Sequence, residues 1–372
     1  MKKSLYTFLL ALLLLPGTLL ATDPHTLEIG ASAPDFSLPG TDGKTYTLKS
    51  FANAPILVVV FTCNHCPTAQ AYEDRVKKLA ADYKSKGVAL IAISPNDPKS
   101  VRLDELGYTD MSDTFEEMKI RAKEKGYNFP YLYDGDTQKT SLAYGAVATP
   151  HVFIFDKARK LQYTGRIDDS EKPGSTPKND DARNALEAML AGKPVPVAKT
   201  KTFGCSVKWM DKRDGVTKGF EDWAKEEVKL ATITEDGLKA LVKNDSDKLR
   251  LINVWATWCG PCVTEFPDFI SINRMYRGRD FEFVSISADK PDKKEKALAF
   301  LKKTQASNTN YIFESGDVYK MIDIIDPKWQ GALPYTLLVE PGGKIVYAKQ
   351  GPINPQELKR LIVDNHLIGR YY

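Results

Sequence analysis

The chain carries one unit twice, and this repeat limits its architecture more than any other feature. In the first copy the apolar run Ile56-Leu57-Val58-Val59-Val60-Phe61 leads straight into Cys63-Asn64-His65-Cys66. Tyr72, Val76, Leu79, Ala80 and Tyr83 then recur at helical spacing to about Lys84. In the second copy Leu251-Ile252-Asn253-Val254-Trp255 precedes Cys259-Gly260-Pro261-Cys262 and a helical stretch to about Met275. A continuous β-branched run predicts a strand covered on both faces, and the following periodicity predicts an amphipathic helix.

The later elements repeat too. The first copy is expected to continue with a strand over 88–93 and a helix over about 114–125, with Asp113 and Glu116 as a capping box. Thr149-Pro150, strands over 151–155 and 161–165, and a helix over 180–190 follow. The second copy continues with a strand over 281–287, a helix over 295–303, then Leu333-Pro334. Strands over 335–339 and 344–348 come next, and a last helix is capped by Asn354, with Pro355 at N1 and Glu357 at N3. Cys63 and Cys259 are 196 positions apart, and Pro150 and Pro334 are 184 apart, so the offsets agree within loop variation. The expected class is α/β: two tandem units over 27–192 and 228–372, each a central mixed sheet flanked by helices. Residues 193–227 fit neither copy, and their opening Gly192-Lys193-Pro194-Val195-Pro196-Val197 reads as an extended linker.

A length of 372 residues accommodates two such domains. The net charge of +4 is a small excess over 52 basic and 48 acidic residues, with no basic stripe, which argues against a nucleic-acid partner. Residues 1–21 read as a secretory signal peptide: basic Lys2 and Lys3, an apolar stretch from Leu5 to Leu15, then Pro16-Gly17 and a small residue at Ala21. The apolar run is short for a span, which disfavours an uncleaved anchor. The expectation is a periplasmic or otherwise extracytoplasmic protein with no stable membrane insertion once the signal is removed.

Four of the five cysteines form the two close pairs, and Cys205 is left over. A disulfide across two residues closes too small a loop to remove much chain entropy, so each pair makes a poor staple and a good redox switch. A thiolate is the attacking species, and a cysteine placed where a strand meets a helix N-terminus is given free N–H groups and the positive end of the helix dipole. On this reasoning Cys63 and Cys259 are the expected nucleophiles and Cys66 and Cys262 their resolving partners. No bound cofactor is required.

Trp258-Cys259-Gly260-Pro261-Cys262, between strand and helix, resembles the thioredoxin active site. With Glu265, Phe266 and Pro267 it looks like the exported TlpA/ResA-type reductases, over about residues 228–368. The resemblance implies that Glu265 tunes the titration of the pair, that Asn253 replaces the buried acid of thioredoxins, and that Pro267 kinks the active-site helix. It also implies that Leu333-Pro334 is the cis-proline loop that faces the disulfide and pairs with client backbone. The first copy resembles the peroxiredoxin-like redoxin group over about 27–192, through Ile29-Gly30, Ala33-Pro34-Asp35-Phe36, Leu38 and Asp42-Gly43-Lys44. There Pro150 takes the cis-proline role, and His65 stands where strongly oxidising relatives carry His. The redox extremes of such proteins, about −270 and −120 mV, differ by roughly 7 kcal/mol. The first site is therefore expected to be the oxidising end and the second the reducing end.

These resemblances imply an exported thiol–disulfide oxidoreductase whose partners are protein disulfide clients and a membrane electron donor that recharges its dithiols. Two other readings stay open. One is a thiol peroxidase in the first unit reduced by the second. The peroxidatic pattern is absent, however: Val60 stands three positions before Cys63 and Ile56 seven before, with Pro55 out of register and Thr62 adjacent. The other is a copper-binding module at Cys63, His65 and Cys66. Cys205 is read as either an inert thiol or a third relay cysteine, His151 as a satisfied core histidine, and Arg166 as half of an ion pair.

Overall fold

The computed structural model describes residues 24–170, 172 and 175–370. The signal-peptide expectation for residues 1–21 lies outside them.

In the first unit a small hairpin, β1 (Ser37–Pro39) with β2 (Thr45–Thr47), precedes β3 (Ile56–Phe61), α1 (Pro67–Lys84) and β4 (Val88–Ser94). Next come α2 (Phe115–Glu124), β5 (Tyr131–Tyr133), α3 (Lys139–Tyr144), β6 (Ala148–Thr149), β7 (His151–Phe155), β8 (Leu161–Gly165) and α4 (Asp181–Leu190). The main sheet runs β5-β4-β3-β7-β8, parallel from β5 to β3 and antiparallel from β3 to β8. All six residues of β3 are buried. Ile56, Val58 and Val60 enter one apolar cluster while Leu57, Val59 and Phe61 enter another, so both sheet faces are covered. Each such side chain contributes roughly 1.5–3 kcal/mol by leaving water.

The second unit repeats the pattern with β10 (Ala231–Ile233), α6 (Glu235–Lys243), β11 (Leu249–Trp255), α7 (Gly260–Tyr276), β12 (Phe281–Ser287) and α8 (Lys294–Lys303). It ends with β13 (Thr309–Phe313), α9 (Val318–Ile325), β14 (Tyr335–Glu340), β15 (Lys344–Gln350) and α10 (Pro355–Asp364). Its sheet order is β10-β13-β12-β11-β14-β15. Removing β10 leaves the order and the parallel-then-antiparallel sense of the first sheet, so the repeat seen in the sequence is a repeat of topology. Asn354 caps α10 as expected, its side chain accepting from Gln356 N and Glu357 N.

One expectation is corrected. α2 is capped by Thr114, not Asp113: Thr114 Oγ1 accepts from Glu117 N at 3.2 Å and donates to Glu117 Oε2 at 2.7 Å. Asp113 points inward to a stronger set of partners described below. Residues 193–227, expected as an extended linker, pair with the first unit and carry elements of their own. Ala198 O accepts from Thr164 N, and Thr164 O accepts from Thr200 N, which extends the β8 edge. A two-residue strand, β9 (Cys205–Ser206), pairs with β6, and a helix, α5 (Arg213–Ala224), follows.

The loop between β4 and α2 reaches the second unit. Val101 and Leu106 belong to that unit's core cluster, and Thr109 O accepts from Tyr276 Oη at 2.7 Å. A Cβ on Gly107 would sit 2.9 Å from the Met275 carbonyl oxygen, so a glycine is needed at this approach. Asp110, 2 % exposed at its side chain, accepts from Arg360 at 3.1 Å and Arg370 at 3.0 Å.

Candidate active site

Two cysteine pairs stand at the ends of equivalent central strands, each opposite a cis X-Pro bond: Thr149-Pro150 in the first unit and Leu333-Pro334 in the second. The helices that follow begin at different cysteines. In the second unit Cys259 is the N-cap of α7, and its sulfur accepts from Cys262 N at 3.3 Å. In the first unit Cys66 is the N-cap, with its sulfur accepting from Ala69 N at 3.4 Å. The proline sets the difference. Pro67 directly follows the first pair and takes the N1 position, where its missing N–H costs nothing; Pro261 lies inside the second pair.

Cys259 and Cys262 form a disulfide, 6 % and 1 % exposed. The preceding loop is fixed by Asp289, which accepts from Thr257 N at 2.9 Å and Thr257 Oγ1 at 2.7 Å. Trp258 is 65 % exposed beside the bond. One turn further along α7, Glu265 is buried; its Oε2 accepts from Ile353 N at 2.9 Å while Oε1 has no partner. Burial pushes this carboxyl up to about 7. Asn253 is buried on β11 and donates to Thr336 Oγ1 at 3.2 Å. Pro267 is inside α7.

The first site is a buried polar network. Cys63, Cys66 and Cys205 are free thiols. Cys63 Sγ lies 3.2 Å from Thr149 Oγ1 and 3.7 Å from His65 Nδ1, and Cys66 Sγ lies 3.2 Å from Thr149 O. Asp113, outside the Cys-x-x-Cys motif, organises the loop. It accepts from Asn64 N at 2.8 Å, His65 N at 3.1 Å, His65 Nδ1 at 2.5 Å and Asn96 Nδ2 at 2.7 Å.

Burial works against charge throughout this network, and the partners decide the outcome. Burial lowers His65, but the Asp113 carboxylate more than offsets it, so the imidazole titrates above its ordinary value. Burial raises Asp113, but His65, Asn96 and the loop N–H hold it below the usual carboxylate range. Burial and the neighbouring negative charges push the Cys63 thiol well up. For Cys66, S–H donation from Cys205 and Cys63, the His65 charge and the Ala69 N–H outweigh burial and hold the thiol well below its usual value. The helix terminus and its N–H donor converge on Cys66 rather than on Cys63, the nucleophile expected from the sequence.

The metal reading gains a different ligand set from the one expected. Donor atoms of Cys63, His65 and Asp113, not Cys66, lie within 4.8 Å of one another. His65 Nδ1 is, however, already turned to Asp113, which satisfies both without an ion. His151 accepts from Val147 N through Nδ1 and contacts Thr164 Oγ1 through Nε2 at 3.1 Å, a satisfied core histidine. Arg166 pairs with Asp181 at 2.6 Å.

The redoxin family profile matches residues 28–186 and 222–364, both copies of the repeat and most of the chain. The protein is a redoxin. This redoxin is 25% identical over 127 residues to the thiol-disulfide oxidoreductase ResA of Bacillus thuringiensis subsp. konkukian, covering 34% of this chain and 69% of that protein. It is 24% identical over 173 residues to the alkyl hydroperoxide reductase E of Mycobacterium bovis, covering 44% and 99%. A conserved protein of Geobacillus kaustophilus with a solved crystal structure is 39% identical, covering 49% of this chain and 92% of that one with a TM-score of 0.44. The redoxin has a tandem thioredoxin-like fold and is a thiol–disulfide oxidoreductase. Among the described residues no helix is long and apolar enough to cross a membrane.

Proposed function

We propose that the protein is an exported redoxin that exchanges electrons with protein disulfides through both Cys-x-x-Cys sites, with a membrane electron donor recharging its dithiols. The units are residues 27–192 and 228–372, behind a cleaved signal over 1–21. One observation carries the reading: each pair sits at a helix N-terminus opposite a cis-proline loop, in two copies of one sheet. Cys66 is the attacking thiolate of the first site, Cys63 its resolving partner, and His65 holds a positive charge beside both. A stabilised thiolate favours the reduced form, which makes that site the oxidant. In the second site Cys259 attacks, Cys262 resolves and Glu265 adjusts their protonation.

The test is the reduction potential of each pair in glutathione buffers, on the whole chain and on Cys63→Ser/Cys66→Ser and Cys259→Ser/Cys262→Ser variants. The first pair is expected to lie above the second, each 30 mV being about 1.4 kcal/mol. Equal potentials would leave two parallel reductants and remove the oxidising role.

A peroxidase reading of the first unit has one observation in its favour. The Thr149 hydroxyl, 3.2 Å from Cys63 Sγ, supplies from another strand the hydroxyl that the Cys63 loop lacks. Peroxide consumption that disappears in Cys63→Ser would establish it; no consumption by the wild-type chain would remove it.

A further inference from the structure

The segment after the first unit returns to its active site and stays there. Thr149 pairs with Cys205 and Ala148 with Ser206 in antiparallel register, so the residue before cis-Pro150 is covered by the protein's own chain. Gly204 makes the approach possible: a Cβ there would meet Thr149 O at 2.1 Å and Pro150 Cδ at 3.3 Å, and its φ is +128°. The strap is tied on its far side as well. Val207 is buried in the sheet core, Lys208 N donates to Asn96 Oδ1 at 2.9 Å, and Met210 N donates to Gln138 Oε1 at 2.8 Å. Asn96 is also a partner of Asp113, so the strap and the His65 network share an anchor.

This places a third sulfur against the pair. Cys205 packs on the cluster of Cys63, Cys66 and Ala69, and it is the least buried of the three thiols. Cys63 and Cys66 are 3 % and 0 % exposed.

We propose that the first unit is a three-thiol switch in which Cys205 displaces Cys63 from a Cys63–Cys66 disulfide to form Cys66–Cys205, bringing a buried disulfide out to the less buried thiol. The proposal rests on the reading above that Cys63 and Cys66 form a redox pair. The step balances without an outside oxidant. Cys205 gives up its proton and its thiolate attacks Cys66 Sγ. The Cys63–Cys66 bond breaks and the Cys66–Cys205 bond forms. Cys63 leaves as a thiolate and takes up a proton from His65, whose Nδ1 is 3.7 Å from its sulfur; His65 regains the proton that Cys205 released. One disulfide is present before and after. A polypeptide client would find the Thr149 edge occupied, so it would meet Cys205 before either partner.

The experiment uses the whole chain, oxidised with diamide, quenched in acid, alkylated with iodoacetamide, digested without reduction and mapped by mass spectrometry. Wild type is expected to give both Cys63–Cys66 and Cys66–Cys205 linked peptides. Cys63→Ser and, as a second fold-compatible variant, Cys63→Ala are expected to give the Cys66–Cys205 peptide with loss of Cys205 alkylation. Cys205 fully alkylated in both variants, while wild type forms Cys63–Cys66, overturns the switch and leaves the exchange reading intact. No disulfide among the three cysteines in wild type overturns both.

Discussion

The Asp113 carboxylate and the His65 imidazole meet at 2.5 Å inside the first unit, with side-chain exposures of 0% and 2%. Neither charge has water to fall back on, so each depends on the other. Asp113 also accepts from two loop N–H groups and Asn96, which fixes the Cys63–Cys66 loop through one side chain.

Replacing Asp113 with Asn is therefore expected to cost roughly 3 kcal/mol of stability, the usual order for breaking a buried pair. His65 would lose the carboxylate that raises it and titrate lower, and the Cys66 thiolate would titrate higher. Thiolate absorbance against pH and urea unfolding check the two effects. In wild type the raised His65 contributes fully below its ordinary value and loses that contribution as pH climbs through its folded value. The depressed Asp113 contributes above its ordinary value and loses it as pH falls. The stability from the pair should thus be greatest in mildly acidic solution and decline on both sides.

Glu265 gives a slope of its own. A carboxyl raised to about 7 stabilises the fold in its protonated form, fully so below about pH 4.5, and that contribution disappears as pH rises through about 7. Glu265→Gln should flatten the fall in stability between pH 5 and 8, roughly those limits by the same linkage. Denaturant midpoints across that range measure it; an unchanged slope would rule Glu265 out as its source.

His151 acts in the opposite sense. Burial lowers it to about 3, so it stays neutral in the folded chain while the unfolded chain takes up a proton below about 6.5. Stability should drop by roughly 3–5 kcal/mol as pH falls from about 6.5 to about 3. His151→Asn should remove part of this acid lability, whatever its effect at neutral pH. Acid unfolding curves of the two proteins give the comparison.

Asp110 joins the units. Its carboxylate accepts from Arg360 and Arg370, and Gln356 donates to it at 3.3 Å. Asp110→Ala removes the buried carboxylate that both arginines share, leaving Arg360 with Glu124 and Arg370 with Asp364, and is expected to cost about 1–3 kcal/mol, below the range for a buried pair broken outright. Limited proteolysis should then cut between the units, at sites protected in the wild type.

Much of this molecule is legible along the chain. Strands β7, β8 and β12 run over the residues that periodicity predicts, and Asn354 caps α10 because its signal is local: one side chain and two N–H groups a few residues on. The misses share a cause, since each is decided by partners far away in sequence. Asp113 satisfies a capping pattern with Glu116, but Thr114 satisfies the same pattern with Glu117, and the tie is broken by His65, 48 positions earlier. The strap carrying Cys205 reads as a linker because its pairing partner is at Thr149. An odd fifth cysteine following a glycine was the available hint. The helix start at Cys66 could have been read from Pro67, which takes N1 wherever it can.

Asp110 and Asp113 are three positions apart, one turned to the last helix of the second unit and the other to the redox loop of the first. The two halves of this chain are consequently not interchangeable modules. A chimera that grafts a different second half onto the first must carry cations where Arg360 and Arg370 stand, or the buried Asp110 beside the Asp113 loop loses its two guanidinium partners. Over evolutionary time, residues near the C-terminus would drift under selection for chemistry that takes place in the other half of the molecule.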